Sequence, residues 1–211
     1  MEWMDDADDM AQSLCPSQHI GGPCPTQGAM AMTVVKKIWT DEELMHLPHE
    51  GKAEVVDGEL VLMTPAGLEP EDVGAALVSY LRPYVRRHNL GRVYTSQAGF
   101  RMPNGDVRSP DVSFVRMEKL PGGCSPKKFG EFPPDLAVEI LAPDETPKDY
   151  ARKVREYLAW GVTLVWLIDP NSRTVWVYRK GRKPKRLSEN DELDGEEVIP
   201  GFRLPVARLF E

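Results

Sequence analysis

The sequence predicts an α/β domain: a mixed β-sheet flanked by helices, with an additional hairpin near its N-terminal end. Three observations predict it. Pro133 to Pro170 reads as buried strand, capped helix, buried strand. A long amphipathic helix precedes that unit, and Asp57-Gly58 and Asn104-Gly105 each sit between strand-like runs, the short-range signal of a hairpin.

The first 31 residues carry Glu2, Asp5, Asp6, Asp8 and Asp9 with no Lys or Arg, and no hydrophobic period long enough to pack. They read as a disordered acidic extension, or as the product of an upstream start with Met32 as the natural beginning. Removing those five charges from the total of −7 leaves −2 for the body, 32–211, which reads as one domain. Cys15, Cys24 and Cys124 are an odd count, and the Cys15-x3-His19-x4-Cys24 spacing fits no standard zinc knuckle, so free thiols are expected. No apolar run approaches the roughly 18 to 20 residues needed to span a bilayer. The acidic start with no apolar run behind it is no secretory signal, and the expected location is cytoplasmic, with no membrane partner.

The body opens with a short helix capped by Thr40, with Glu43 three residues on. Glu54 to Val56 and Glu59 to Met63 pair through Asp57-Gly58, which predicts a type I′ turn. Pro70 to His88 is the first long helix, with Val73, Leu77, Leu81 and Val85 as its apolar stripe and Pro83 expected to kink or break it. Arg92 to Met102 and Val107 to Val115 form a second hairpin through Asn104-Gly105. Pro121 to Phe132 is a loop, either a flap or a connection. The next strand places Leu136, Val138 and Ile140 on one face and Ala137, Glu139 and Leu141 on the other. Its helix has Thr146 as N-cap, Pro147 at N1, Asp149 at N3 and Gly161 past its end. Tyr150, Val154, Tyr157 and Leu158 face inward, and Arg152, Arg155 and Glu156 outward. The buried strand of Leu164 to Pro170, Thr174 to Arg179 and a strand near Arg186 complete the sheet, with a basic run from Arg179 to Arg186 at the last hairpin. Such a tip neutralises phosphates or protects an edge from aggregation, and the second reading is favoured.

Glu139 is the one charge in a strand flanked by apolar residues, which costs several kcal/mol (order of magnitude) unless a cation or hydrogen bonds compensate it. Lys153 lies beside Tyr150 and Tyr157 at the edge of the inward helix face and is aimed at the same sheet. Taken as a pair, these residues are a buried structural salt bridge more readily than a site. Asp111 shifts that balance, because it opens a short strand just after Pro110. Two carboxylates on neighbouring strands with an inward lysine suit metal-dependent phosphodiester hydrolysis: the acids hold a hard cation and the ammonium orients water.

Ala53 to Pro65 (AEVVDGELVLMTP), Arg108 to Val115 (RSPDVSFV), Pro133 to Pro143 (PPDLAVEILAP), Asp149 to Val162 (DYARKVREYLAWGV) and Leu164 to Pro170 (LVWLIDP) together resemble the Uma-two family, within the PD-(D/E)XK nuclease superfamily. The resemblance covers roughly Met32 to Glu211. It implies a restriction-endonuclease-like core and cleavage of DNA, with Asp111 and Glu139 as acidic ligands of Mg²⁺ or Mn²⁺, the Ile140 carbonyl as a further metal ligand, and Glu54 as an extra site carboxylate. On spacing, a solvated strand edge fits Glu54 equally well. The signature lysine would stand at position 141, which is Leu141 here, and the resemblance moves that role to Lys153 on the following helix. Relatives often carry histidine early in the first long helix, where this chain has Glu71-Asp72. The expected partner is DNA, with a homodimer left open. The alternative is a catalytically silent nuclease-fold domain that binds nucleic acid or protein and uses the acidic cluster structurally.

Overall fold

The structure, a computed structural model, describes residues 37–49, 51–142 and 145–211. They belong to one compact unit, Lys36–Glu211. What was expected of residues 1–31, including the boundary after them and the Cys15-His19-Cys24 spacing, lies outside the described residues. Cys124 is a free, exposed thiol.

Helix α1 (Asp41–Met45) starts where the capping box requires: the Thr40 hydroxyl accepts the Glu43 N–H and the Glu43 carboxylate accepts the Thr40 N–H. Strands β1 (Lys52–Val56) and β2 (Glu59–Met63) form the first hairpin. Its turn residues Asp57 and Gly58 have φ of 53° and 81°, both left-handed as a type I′ turn demands. Helix α2 (Leu68–Arg87) buries Val73, Leu77, Leu81 and Val85. Pro83 does not break it. The proline lies on the exposed face, where water can satisfy the carbonyl that loses its N–H partner, while Leu81 and Val85 on either side are fully buried.

The second hairpin divides between two sheets. Strand β3 (Gly91–Thr95) pairs with β6 (Val112–Arg116), whereas β4 (Phe100–Arg101) pairs with β5 (Val107–Arg108) near the tip. The registers Thr95↔Val112 and Phe100↔Arg108 leave Ser96 to Gly99 opposite Ser109 to Asp111, one extra residue on the first arm. Pro110 has no N–H for the ladder, so the pairing lapses there and resumes just after Asp111. The tip instead joins the first hairpin through Val55↔Val107, giving a four-stranded sheet in the order β2-β1-β5-β4. The Asp106 carboxylate binds the two turns together by accepting the Asp57 and Gly58 N–H groups and the Asn104 amide.

Strand β7 (Leu136–Ile140), helix α3 (Pro147–Trp160) and β8 (Leu164–Asp169) form the central unit, with β7 and β8 parallel. Thr146 and Asp149 make a reciprocal capping box, and Gly161 terminates α3 at φ 110°. Strands β9 (Thr174–Tyr178) and β10 (Lys185–Leu187) extend a six-stranded sheet ordered β10-β9-β8-β7-β6-β3, and β11 (Glu192–Asp194) pairs with β12 (Arg203–Pro205) separately. One face of the large sheet packs Leu136, Val138, Ile140 and Trp166 against α2 and the C-terminal Phe202 and Val206. The other packs Ala137 and Val165 against Val154 and Tyr157 of α3. The alternation read along β7 therefore sorts correctly onto two cores. Among the described residues no helix is long and apolar enough to cross a membrane.

Candidate active site

The antiparallel register of β6 and β7 runs Phe114↔Leu136, Ser113↔Ala137, Val112↔Val138 and ends there, so Asp111 stands one residue beyond the last pair, where its carboxylate meets the Ile140 N–H and feels the charge of Glu139. Two like charges this close on neighbouring strands repel. The structure supplies cations to both. Lys153 Nζ lies 3.0 Å from Glu139 Oε2 and 2.9 Å from Glu145 Oε1. Lys52 Nζ, from the start of β1, lies 3.2 Å from Asp111 Oδ1 and 3.7 Å from Glu54 Oε1. The Tyr157 hydroxyl donates to Glu139 Oε1 at 2.7 Å, and the Ile140 N–H donates to Asp111 Oδ2 at 2.8 Å.

These groups form one wall of a cleft of about 960 Å³ whose other walls are the end of β2, the N-terminal half of α2 and the turn after β3. Asp111, Ile140, Lys52 and Lys153 all line it. Glu139 is 1% exposed and sits just behind, whereas the Asp111 side chain keeps 29% of its surface. Burial, then the charge of Glu139, pushes the Asp111 carboxyl up to about 6 against the pull of Lys52 and the Ile140 N–H. Burial also works against Glu139, but Lys153, Lys52 and Tyr157 together outweigh it and its pKa is lowered. Burial disfavours charge on Lys153 too; Glu139, Glu54 and Glu145 overcome that and raise its pKa, so the ammonium stays protonated. Lys52 behaves alike through Asp111, Glu139 and Glu54.

Whether these residues suit a divalent cation turns on the donor set. Two neighbouring carboxylates offer hard oxygens, and within a strand the N–H and C=O of one residue point the same way, so the Ile140 carbonyl projects to the side where its N–H meets Asp111. Burial is the first cause of the raised Asp111 pKa and the charge of Glu139 the second, both opposed by the two lysines, so a cation shared by the carboxylates would relieve their repulsion. Among the described residues no third His, Cys, Asp or Glu converges to complete a larger cluster. A cation held by Asp111 and Glu139 would fill its remaining positions with that carbonyl and water, which suits Mg²⁺ or Mn²⁺.

Glu54 is no solvated strand edge. It is 2% exposed, and its two oxygens accept from Arg108 Nη1 and the Ser109 N–H, both at 2.9 Å. Arg108 is itself buried and reaches Glu156 as well, so Glu156 turns back toward the sheet rather than outward. This chain of charges ties the residues just before Asp111 to β1 on one side and α3 on the other.

A family profile described as "Putative restriction endonuclease", Uma2, matches residues 41–207. The chain belongs to the Uma2 family. Among solved structures, a crystal structure described as a putative nuclease belonging to DUF820, from Anabaena variabilis, is 20% identical with a TM-score of 0.72, covering 82% of this chain and 97% of that one. That likeness establishes the restriction-endonuclease-like fold of this Uma2 domain. A cryo-EM structure of a DrdV–DNA complex is 14% identical over 57% of this chain and 82% of that one, with a TM-score of 0.32, too low to bear on it. A comparison with curated proteins finds no match.

The structure brings Asp111, Glu139, Lys153 and Ile140 of this Uma2 domain to one place, with Glu54 one layer behind. Sequence reasoning missed Lys52, Tyr157 and Glu145 as partners in the charge cluster. Lys52 had a usable signal, since it stands two residues before Glu54 and so shares its strand face. The Pro121 to Phe132 loop does not line the cleft; its Gly130 carbonyl accepts the Arg101 N–H, making it a connection.

Proposed function

We propose that this Uma2 domain is a metal-dependent endonuclease that hydrolyses DNA phosphodiester bonds. The observation that carries the reading is the pair of neighbouring carboxylates, Asp111 at the wall of an open cleft and Glu139 just behind it, set with Lys52 and Lys153. Asp111 and Glu139 would hold Mg²⁺ or Mn²⁺, with the Ile140 carbonyl beside them. When bound, the cation supplies Lewis acidity and a water of lowered pKa.

The remaining work falls to side chains already in place. Tyr157 and Lys153 each occupy one oxygen of Glu139, fixing its carboxylate plane. Glu145 holds Lys153 from the other side, so the ammonium is positioned at the cleft and not merely buried. The resemblance assigns Lys153 the orientation of the attacking water. Lys52 is the nearer cation to Asp111 and would turn to a non-bridging phosphate oxygen once Asp111 no longer needs it, stabilising negative charge that develops there. Glu54, Arg108 and Glu156 act at a distance, by fixing the backbone that carries Asp111.

One observation favours a catalytically silent binding domain instead: each carboxylate already has a lysine, so the cluster is charge-compensated without metal. A plasmid-nicking assay separates the two. Cleavage should require Mg²⁺ or Mn²⁺, vanish in EDTA, and vanish in folded Asp111→Asn and Glu139→Gln variants. Nicking that persists at the same rate in both variants, or its absence from wild type with either metal, overturns the endonuclease reading.

A further inference from the structure

Helix α2 carries a charged feature outside the cluster just described. Its Ala75, Val78 and Ser79 line the cleft, and Val78 and Ser79 also line a shallow groove formed with Arg82, Pro83 and Arg86. At 100° per residue, Ala75, Ser79, Arg82 and Arg86 fall within a 60° arc, so wall and groove are one continuous face of the helix. That face is distinct from the buried stripe of Val73, Leu77, Leu81 and Val85.

Arg82 and Arg86 are exposed, and among the described residues neither guanidinium makes an ion pair or a hydrogen bond, although the Arg86 carbonyl accepts the Asn89 N–H. Most other arginines of this domain do: Arg101 pairs with Asp41, Arg108 with Glu54, Arg116 with Asp135, Arg173 with Glu189, Arg179 with Glu196 and Arg203 with Glu192. Two like charges at i and i+4 on a helix repel, and the chain places no acid between them to relieve it. An anion from outside would relieve it. At 1.5 Å rise per residue the two guanidinium stems leave the helix about 6 Å apart along its axis, a spacing that suits consecutive groups of an extended polyanion.

The competing basic feature lies elsewhere. Strand β8 runs parallel to β7, so Asp169 ends at the same edge of the sheet as Ile140 and the cleft; β9 then runs back. The Arg182-Lys183-Lys185 tip after Tyr178 is thus displaced by the length of a strand, about 17 Å for five residues, and by the width of two more strands. At the other end of the α2 face stands Glu71, lining the cleft mouth, which repels phosphate.

We propose that Arg82 and Arg86 form a phosphate track that continues the cleft along α2, so that the nucleic-acid strand leaves the site toward Arg86 and is held there by its backbone, not its base edges. This rests on the endonuclease reading and gives the substrate strand a path. Contacts of this kind position a strand without reading its sequence, and each phosphate neutralised adds to the salt dependence of binding.

The test is fluorescence anisotropy of the full chain with labelled single-stranded and duplex DNA in EDTA, titrated across salt concentrations. Arg82→Ala/Arg86→Ala should weaken binding about 10-fold or more at moderate salt, and lower the slope of log K against log salt by about 1.4 to 1.8, the value for two phosphates. Arg82→Lys/Arg86→Lys should restore most of the slope, since a phosphate needs the charge. Arg87→Ala, on another face of α2, and Arg182→Ala/Lys183→Ala should leave it unchanged. An unchanged slope in the double alanine variant while wild type binds, or a loss of slope on changing Arg182 and Lys183 alone, overturns the track but not the endonuclease. Wild type that binds neither DNA overturns both.

Discussion

Asp111, one residue before β6, is repelled by Glu139 of the neighbouring β7, and the consequence is measurable before any metal is added. Its carboxyl, pushed up to about 6 by burial and by Glu139, holds a proton in the folded state between about pH 4 and 6 that the unfolded chain has released. Stability contributed by this group is therefore highest at the acid end, falls as pH rises through that window, and stays lost above it. The loss is on the order of 1 to 3 kcal/mol. Asp111→Asn cannot ionise, so in EDTA the variant should melt higher than wild type at pH 8, with the advantage shrinking toward pH 5. Parallel melting curves for the two proteins across that range would refute the repulsion. Glu54 predicts the reverse sign. Glu54→Ala strands the buried Arg108 guanidinium and the Ser109 N–H, and should cost on the order of 3 to 5 kcal/mol in chemical denaturation. A cost under about 1 kcal/mol would mean that Glu54 does not hold the Asp111 segment. Glu139 and Lys153 were legible as single residues because each stands out against the apolar period of its strand or helix, and Asp111 because it opens a short strand just after Pro110. Lys52 and Tyr157 were not: a lysine opening a strand and a tyrosine on an apolar stripe acquire their roles only through the register that sets them beside acids.

At the scale of elements, α3 delivers Lys153, and its start and stop are written in the chain: Thr146, Pro147, Asp149 and Gly161 all act as caps where their chemistry predicts. The prediction here separates the migrated lysine from a packing one. Lys153→Met keeps the stem and removes the ammonium, so DNA cleavage should fall by a factor on the order of 10² or more while the fold persists. Lys148→Met, exposed on the first turn of the same helix, should change cleavage little. Lys153→Met within a few-fold of wild type, together with a large loss in Lys52→Met, would move the role to the β1 lysine that touches Asp111. Where the reading of elements fell short, long-range pairing was the cause. The second hairpin has correct strands and a correct Asn104-Gly105 tip, but its division between two sheets depends on the one-residue mismatch beside Pro110 and on the join of Val107 to Val55. Pro83 likewise obeys local rules that the buried Leu81 and Val85 override.

The whole molecule places a large mixed sheet, a small hairpin sheet, α2 and α3 so that Lys52 of β1, Asp111 just before β6 and Lys153 of α3 line a single cleft, with Glu139 of β7 just behind it. The α/β architecture was legible because turn dipeptides, caps and apolar periods agree along the chain, and the cleft was not, because it is bounded by elements far apart in sequence. The central claim is that Asp111 and Glu139 share one divalent cation. An ion bound only by the folded state stabilises it by mass action, by about 2.7 kcal/mol at 100 times its dissociation constant. The most direct measurement is a calorimetric titration of Mn²⁺ into wild type, Asp111→Asn and Glu139→Gln, with melting temperatures recorded at the end of each. The account predicts one site per chain in wild type, a raised melting temperature on saturation, and loss of both in either variant. Binding of equal affinity in all three proteins, or no binding by wild type at millimolar Mn²⁺, would contradict it.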